Sequence, residues 1–182
     1  MASSCAYFDA RKALLLAPLV SSSCSLLFAW DQHVFLSNFT HPELSGRGNA
    51  ILPTYWRVMF PWGLTQVVSL LGVTTWTSVG AIVWHRGLLQ RRGSLQWYAG
   101  AAGLAVGHLL YAPLVAPLIK YMMDDEGGGR PLEERRAEPG NRNGNVEAQR
   151  RWMGYNMARL LTTDLGAWVC CAVAVVKTFS LQ

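Results

Sequence analysis

A polar helical face precedes one of the most apolar stretches of the chain. Trp152, Asn156, Arg159 and Thr163 are separated by four, three and four residues, so a helix places them on one side. The stretch that follows, LGAWVCCAVAVV at Leu165–Val176, is typical of a membrane helix. A charge near the bilayer centre costs at least about 2.5–3.5 kcal/mol on insertion scales, so it usually faces other helices. The spacing therefore predicts a polar site rather than a face turned to lipid.

Further polar residues in or beside apolar runs could complete such a site. His108 lies midway along one run, Tyr111 follows three residues later, and Asp31 closes another run. His108 or Asp31 could act as a general base, while Arg159 and Asn156 could hold a developing oxyanion. The predicted catalytic residues are therefore Arg159, Asn156, His108 and Asp31. The predicted substrate-binding residues are Trp152, Tyr111 and Arg57.

Each of these residues could also have a purely structural role. An arginine near a helix end often extends to the lipid headgroups, and Trp152 occupies the position of an interfacial anchor. His108 could be a hydrogen-bonded packing residue. If Arg159 belongs to a site, we expect it to pair with another span, for example with Asp31. Asp164 is five residues away on the same helix, where two side chains do not face each other well.

The elements that carry these residues are predicted to be membrane helices. Of the 182 residues, 51% are hydrophobic and 15% are charged, whereas an average soluble domain has roughly 25% charged residues. The apolar runs each approach or exceed the roughly 17–25 residues that cross a bilayer as a helix. The sequence predicts an all-α fold, a four-helix transmembrane bundle forming one integral membrane domain. Its spans are expected at about Ala13–Trp30, Val58–Trp84, Trp97–Lys120 and Tyr155–Phe179.

The first span and the orientation need separate arguments. Arg11 and Lys12 before a short apolar centre resemble a signal peptide, but apolar character resumes at residues 26–30, which favours a retained span. Positive residues before this span and in the short segment 85–92 predict that both ends are cytosolic. The triplet Asn38-Phe39-Thr40 would then lie on the opposite side, with Asn38 as a candidate glycosylation site.

The segment between the third and fourth spans has almost no apolar residues. Residues 121–151 are rich in Gly, Pro, Asn and charge, so we predict a long flexible connector that is poorly ordered at residues 127–145. No Walker loop, dinucleotide fingerprint, zinc-helix signature, nucleophile elbow or basic nucleic-acid-binding face occurs in the sequence. We therefore expect no metal and no nucleic-acid partner. The net charge of +5 fits positive residues beside a membrane.

Three motifs and the layout of the spans resemble one family. The motifs are LPTYWRVMFPWG at residues 52–63, GHLLYAPLVAPLIKYMMDD at 107–125, and the spacing Trp152-x-x-x-Asn156-x-x-Arg159 before the fourth span. Together they resemble the small fungal membrane proteins that include the anthrone oxygenases of polyketide pathways, over about residues 14–176. Asn156 stands where these oxygenases are expected to have His, and the connector is longer than expected.

The resemblance implies a multi-pass enzyme of the endoplasmic reticulum or another endomembrane. Its expected reaction is cofactor-free oxygenation of a lipophilic phenolic or enolic intermediate of a secondary-metabolite pathway, with the substrate entering sideways from the bilayer. A deprotonated phenol or enol can react with O₂ when a base removes the proton and a cation or donors hold the anion. The same residues suit a non-redox cyclase or isomerase. The remaining alternative is a non-enzymatic scaffold that holds other pathway enzymes at the membrane.

Overall fold

A computed structural model describes residues 9–124 and 144–180, and all regular structure in these residues is helical. The α-helices are α1 (Ala10–Ser37), α2 (Pro42–Arg92), α3 (Leu95–Gly107), α4 (Ala112–Met123), α5 (Asn145–Arg159) and α6 (Leu165–Phe179). Helix α2 is kinked at His85, where φ is −122° and ψ is 23°. Two 3₁₀ segments occupy Asn38–Thr40 and His108–Tyr111, and a π-helical segment occupies Leu160–Asp164.

Four stretches of the described residues are long and apolar enough to cross a membrane. They are Ala10–Thr40, Arg47–Arg92, Leu95–Met123 and Asn145–Phe179. The predicted all-α fold class with four membrane-spanning helices is therefore confirmed. The pattern is that of a multi-pass membrane protein.

The helices extend beyond the apolar runs from which they were predicted. Helix α2 begins at Pro42 rather than near Val58. Proline suits the first turn of a helix, because the N–H that it lacks would have no helical partner there. The helix then continues through Pro53 and Pro61, each of which removes one backbone hydrogen bond. Hydropathy alone does not detect this part of α2, because polar residues are interspersed along it.

Helix α5 begins at Asn145, ten residues before the predicted span. Asn49 of α2 fixes this start, since its Oδ1 accepts a hydrogen bond from the Val146 N–H at 2.9 Å and its carbonyl accepts one from Asn145 Nδ2 at 2.9 Å. Asn145 is fully buried, so the prediction that it belongs to a poorly ordered connector is wrong. The remaining part of that connector, residues 125–143, lies outside the described residues.

The described residues divide into two compact units. The packed unit comprises residues 9–26, 69–107 and 163–180, and the cavity unit comprises residues 27–68, 108–124 and 144–162. Helices α1 and α2 each contribute residues to both units.

In the packed unit, α3 packs closely against α6. The apolar core consists of Leu15, Ala81, Leu89, Tyr98 and Ala174. Glycines bring the two helices together, because a Cβ added at Gly100 would lie 3.3 Å from Cys170 Sγ, and one added at Gly166 would lie 3.1 Å from Leu104 Cδ1. Small residues at helix contacts are the usual means of packing in membranes, where apolar side chains gain little by avoiding lipid.

In the cavity unit, two tryptophans join α5 to α2. The rings of Trp56 and Trp152 meet edge to face, with centroids 5.1 Å apart and planes at 71°. Trp56 Nε1 donates a hydrogen bond to Gln149 Oε1 at 2.8 Å, which gives the buried indole a partner. The buried core around them also contains Leu36, Leu52, Ile119, Met122, Val146 and Ala148.

Candidate active site

The cavity unit contains a cavity of about 130 Å³. Most of its wall is apolar, including Met59, Phe60, Val67, Val115 and Ile119. The polar or charged side chains in the wall that bear on chemistry are Gln32, His108, Tyr111 and Arg159. An apolar pocket with a few convergent polar groups is the common form of a small-molecule site.

Arg159 is held in the cavity wall by Asn156, one turn earlier on α5. The Arg159 side chain is only 8% exposed, and its Nη2 donates a hydrogen bond to Asn156 Oδ1 at 2.7 Å. Asn156 Nδ2 donates in turn to the Ala29 carbonyl on α1 at 3.3 Å. Because Asn156 is neutral, its hydrogen bond orients the guanidinium without altering the charge. Asn156 is itself buried and is not among the residues that line the cavity, so its predicted role as an oxyanion donor stays a prediction.

The packing of α5 agrees with the predicted polar face. The face is turned to other helices and not to lipid, because Trp152 packs on Trp56 of α2 and Asn156 donates a hydrogen bond to the Ala29 carbonyl of α1. The alternative that Arg159 extends to the headgroups is wrong, because its side chain is buried. Trp152 is also buried and lines the cavity, so it is not an interfacial anchor.

A π-helical segment follows Arg159 directly, at Leu160–Asp164. Such segments are rare, and they frequently occur at functional sites because they change the direction of nearby side chains. Arg159 is thus the last residue of regular α-helix before a local irregularity. The sequence pattern predicted the face but not this irregularity.

His108 and Tyr111 lie where the third span departs from α-helical geometry. Pro113 is in the first turn of α4 and has no N–H to donate to the Leu109 carbonyl, which weakens α-helical hydrogen bonding there. The chain forms a 3₁₀ segment at His108–Tyr111 instead. His108 is buried and lines the cavity, as does the partly buried Tyr111. The proline therefore helps to place both residues in the wall.

The hydroxyl of Tyr111 is 2.9 Å from Thr162 Oγ1. Thr162 donates its single hydroxyl proton to the Ala158 carbonyl at 2.7 Å, so Tyr111 must be the donor in the pair with Thr162. The phenol oxygen of Tyr111 then has only lone pairs to offer to a ligand. Tyr111 is therefore suited to accept a hydrogen bond from substrate and not to donate one.

Asp31 and Arg57 are exposed and lie outside the cavity wall. Arg57 Nε donates to the Pro53 carbonyl at 3.2 Å within its own helix. The ion pair expected between Arg159 and Asp31 does not form among the described residues, since one side chain is buried and the other exposed. The structure thus brings together Trp152, Arg159, His108 and Tyr111 but not Asp31 or Arg57. The chemical roles of all these residues stay predictions.

Gln32 is the polar wall residue that sequence reasoning missed. Its Oε1 atom is buried and has no hydrogen-bond partner among residues 9–124 and 144–180. A signal for it exists in the sequence, because Gln32 is three residues after Ala29 and four before Leu36, and both of these are buried. Asp31, the ionisable neighbour of Gln32, was instead selected from the sequence.

Two further predictions concern Asn38 and metals. Asn38 is exposed at the start of the 3₁₀ segment Asn38–Thr40, and its glycosylation stays a prediction. In the part of the chain that the structure describes, no three His, Cys, Asp or Glu side chains are grouped so that they could hold a metal ion.

Comparison with known proteins finds relatives in fungi. The chain is 29% identical over 170 residues to the probable epoxidase scpX of Mollisia scopiformis, covering 90% of this chain and 94% of that protein. It is 29% identical over 170 residues to the epoxidase pydX of Acremonium sp, covering 90% and 93% of the two chains. It is 28% identical over 173 residues to the epoxidase gkaX of Penicillium citrinum, again covering 90% and 93%. No family model and no solved structure matches the chain. The relatives confirm the resemblance predicted from the motifs: over nine tenths of its length the chain is similar to the anthrone oxygenase-like small membrane proteins of fungi.

Proposed function

We propose that the chain is an oxygenase-type membrane enzyme of a fungal secondary-metabolite pathway, and that it binds a lipophilic phenolic or enolic substrate in the cavity. The observation that carries the proposal is the buried Arg159, which Asn156 orients in a largely apolar wall. A preorganised cation in a site that excludes water stabilises an oxyanion far more than it would in water. The epoxidase names of the three relatives favour oxygen transfer, with an epoxide as the product.

The size of the cavity suits one ring of such a substrate. A dry apolar cavity of about 150 Å³ is known to hold benzene, so the observed 130 Å³ accommodates roughly a six-membered carbon ring. The wall also includes Leu64, Val68 and Leu109, which are 48%, 53% and 54% exposed. These apolar side chains face hydrocarbon in a membrane. The rest of a large lipophilic substrate would lie along them, and the substrate would enter from the bilayer.

The proposed roles follow from the positions of the wall residues. His108 takes the proton from the phenol or enol, and Arg159 holds the resulting oxyanion. Asn156 positions Arg159, and Trp152 and Tyr111 bound the ring. Base and cation together increase the fraction of substrate present as the anion, which is the form that reacts with O₂.

The reaction balances without a reductant when the substrate supplies the electrons. The anion adds O₂ at carbon, and return of the proton gives a hydroperoxide. When the substrate has a second, conjugated enol or phenol hydroxyl, loss of its proton turns that C–O into a carbonyl and drives the adjacent carbon onto the proximal peroxide oxygen. The epoxide C–O bond forms, the O–O bond breaks, and the distal oxygen leaves as water with the two protons. The product therefore has one oxygen more and two hydrogens fewer than the substrate. The proposal thus requires no cofactor beyond O₂, and the proposed compartment is the endoplasmic reticulum or another endomembrane.

Deletion of the gene in its host, with metabolite profiling, tests this function. We expect accumulation of a precursor that is one oxygen poorer and two hydrogens richer than the normal product. Membranes from a heterologous host that expresses the chain should then convert this precursor under isotope-labelled O₂, with one labelled oxygen in the product and the other in water.

Other outcomes would point to the alternatives. A precursor that lacks only the oxygen means that an external reductant supplies the electrons, which would make the cofactor-free form of the proposal wrong. An isomeric precursor means a cyclase or isomerase. A precursor that the membranes convert only when other pathway enzymes are present means a scaffold.

A further inference from the structure

We propose that Gln32 is a specificity-determining residue, which binds a neutral hydrogen-bond donor of the substrate, a hydroxyl or an N–H. This donor is distinct from the oxygen that Arg159 holds. The inference deepens the proposed function and rests on it, because it assumes that the substrate occupies the same cavity.

The first observation is an acceptor without a donor. Gln32 lines the cavity, and its Oε1 is buried with no hydrogen-bond partner in the described part of the chain. Folded proteins satisfy the large majority of buried side-chain polar atoms, so such an atom in a cavity wall calls for an explanation. A ligand that brings a donor into the cavity supplies one.

The second observation is the space beside the amide. Gly63 also lines the cavity, and a Cβ built on it would lie 3.9 Å from Gln32 Nε2, with no closer atom from another helix among residues 9–124 and 144–180. A larger residue at position 63 would occupy this space. The glycine therefore leaves room beside Gln32 Nε2, and a half-turn of the terminal amide about its last side-chain bond exchanges Nε2 and Oε1, so that Oε1 accepts from a substituent of the substrate placed there.

The charge in the wall decides which kind of donor fits. Arg159 lines the same cavity, and a guanidinium offers only donors, so a second donor-only group such as an ammonium finds no acceptor in it. A neutral amide acceptor also gives an ammonium less stabilisation than a carboxylate would. A hydroxyl or an amide N–H satisfies Gln32 Oε1 without either penalty. The substrate class is then a lipophilic molecule with an ionisable phenol or enol and a second, neutral donor.

The proposal is tested by measuring KM and kcat of Gln32→Leu in membranes. The substrate is the precursor that accumulates in the deletion strain. We expect KM to rise about 10–100-fold, because the donor of the bound substrate loses its acceptor, while kcat changes less than about threefold. Gln66→Leu is the matched control, since Gln66 is exposed on α2 and does not line the cavity. Its KM should equal that of the wild type.

A chemically modified substrate provides a second test of the proposal. Methylation of the neutral donor in the precursor should raise KM about 10–100-fold for the wild type, because the buried acceptor is left without a donor. Gln32→Leu should show nearly the same KM for the parent and the methylated precursor. If methylation raises KM by the same factor in the wild type and in Gln32→Leu, the donor does not bind Gln32 and the proposal is overturned.

Binding without turnover separates this inference from the proposed function. The precursor should raise the Tm of the purified wild type, and Gln32→Leu should lose most of that rise. If the wild type binds but does not convert the precursor, the proposed function fails and the Gln32 inference stands on the Tm shift. Should Gln32→Leu express poorly, Gln32→Met keeps the side-chain length without the amide and must show the same loss. The proposal would be overturned if either variant had the same KM for the precursor as the wild type and showed the same rise in Tm on binding it.

The space beside the amide can be tested in the same way. Gly63→Ala should fold normally, since the added methyl meets only an ordinary contact at 3.9 Å, but it should weaken precursor binding by about threefold to tenfold. Gly72→Ala is its control, because it lies on the same helix with nothing within 4 Å and does not line the cavity. Equal binding by both variants would place the substituent elsewhere and would contradict the contact with Gln32.

Discussion

The packed unit and the cavity unit bury different kinds of polar side chain. Among the described residues, those buried in the packed unit are the hydroxyl residues Ser21, Ser22, Thr74, Ser78, Ser94 and Thr178, together with Asp164. Those buried in the cavity unit carry amide, imidazole or guanidinium groups, and they are His108, Asn145, Gln149, Asn156 and Arg159. With the exception of Asp164, the buried hydroxyls thus lie in the packed unit and the larger buried polar groups in the cavity unit.

The difference has a physical reason. A hydroxyl is small and can bond to a carbonyl of its own or a neighbouring helix, as Ser21 does with the Leu70 carbonyl at 2.8 Å and Tyr98 with that of Leu15 at 2.8 Å. Such groups join helices and leave little empty space. A guanidinium has five donors in a fixed planar arrangement and needs more space and more partners than a hydroxyl; Asn156 is one such partner of Arg159. We infer that the packed unit mainly supports the fold and the cavity unit carries the chemistry.

The largest expected effect is that of Arg159→Ala on turnover. Loss of a preorganised oxyanion donor typically costs about 10²–10³ in rate, and we expect a fall of this size with unchanged expression and membrane insertion. Arg159→Lys should retain only a small part of the activity, because lysine offers a point charge in place of a planar fork. The measurement is conversion of the accumulated precursor by membranes with equal amounts of each variant. Arg86→Ala, at an exposed arginine on α2, is the control. Near-normal conversion by Arg159→Ala would show that the proposed site on α5 is wrong.

A substitution in the packed unit should affect stability but not rate. Gly166→Leu places a large side chain where even a Cβ would lie 3.1 Å from Leu104 Cδ1, so Leu104 must repack or α3 and α6 must move apart. Overpacking of this kind costs about 1–3 kcal/mol, which thermal unfolding in detergent would detect. Gly154→Leu, at a glycine of α5 with nothing within 4 Å, should cost much less. A loss of rate per folded molecule in Gly166→Leu would contradict the division between the units.

Asn156→Leu tests whether orientation of Arg159 matters. The variant removes the acceptor of the 2.7 Å hydrogen bond from Arg159 Nη2, and we expect kcat to fall about tenfold with KM affected less. Asn156→His should lose less, since a neutral imidazole offers a nitrogen acceptor to the guanidinium. A merely structural role would lower the unfolding temperature of both variants and leave kcat per folded molecule unchanged. Steady-state kinetics with the accumulated precursor, together with thermal unfolding, separate these results.

Periodicity predicted the part of the site that depends on regular helix. The helical spacing of Trp152, Asn156 and Arg159 identified the inward face of α5 correctly. On α1 the cavity wall includes Gln32 and not its neighbour Asp31, because one residue turns a helix by about 100°. Asp31 was selected because its side chain can ionise. A neutral amide such as that of Gln32 costs less free energy to bury than a carboxylate does.

The remaining features depend on contacts between distant residues. The start of α5 depends on Asn49, which is nearly a hundred residues earlier in the chain. The π segment at Leu160–Asp164 has no local sequence signal comparable to the proline that accompanies the 3₁₀ segment at His108–Tyr111. The four spans could be predicted because each is long and apolar. The cavity could not, because its wall is assembled from residues of several helices.

The smallest expected effect is that of Tyr98→Phe in the packed unit. The Tyr98 hydroxyl donates to the Leu15 carbonyl, which in an α-helix also accepts a hydrogen bond from the N–H four residues later, so the carbonyl keeps a partner in the variant. Hydrogen bonds between membrane helices contribute about 0.6 kcal/mol on average, and we expect a loss of stability of that size with unchanged turnover. Tyr155→Phe, at a partly exposed tyrosine of α5, should change neither quantity. Unfolding in detergent measures the first quantity, and conversion of the accumulated precursor measures the second. A clear fall in turnover at unchanged stability would mean that hydroxyls of the packed unit take part in the reaction, and the separation of supporting and chemical roles would then have to be abandoned.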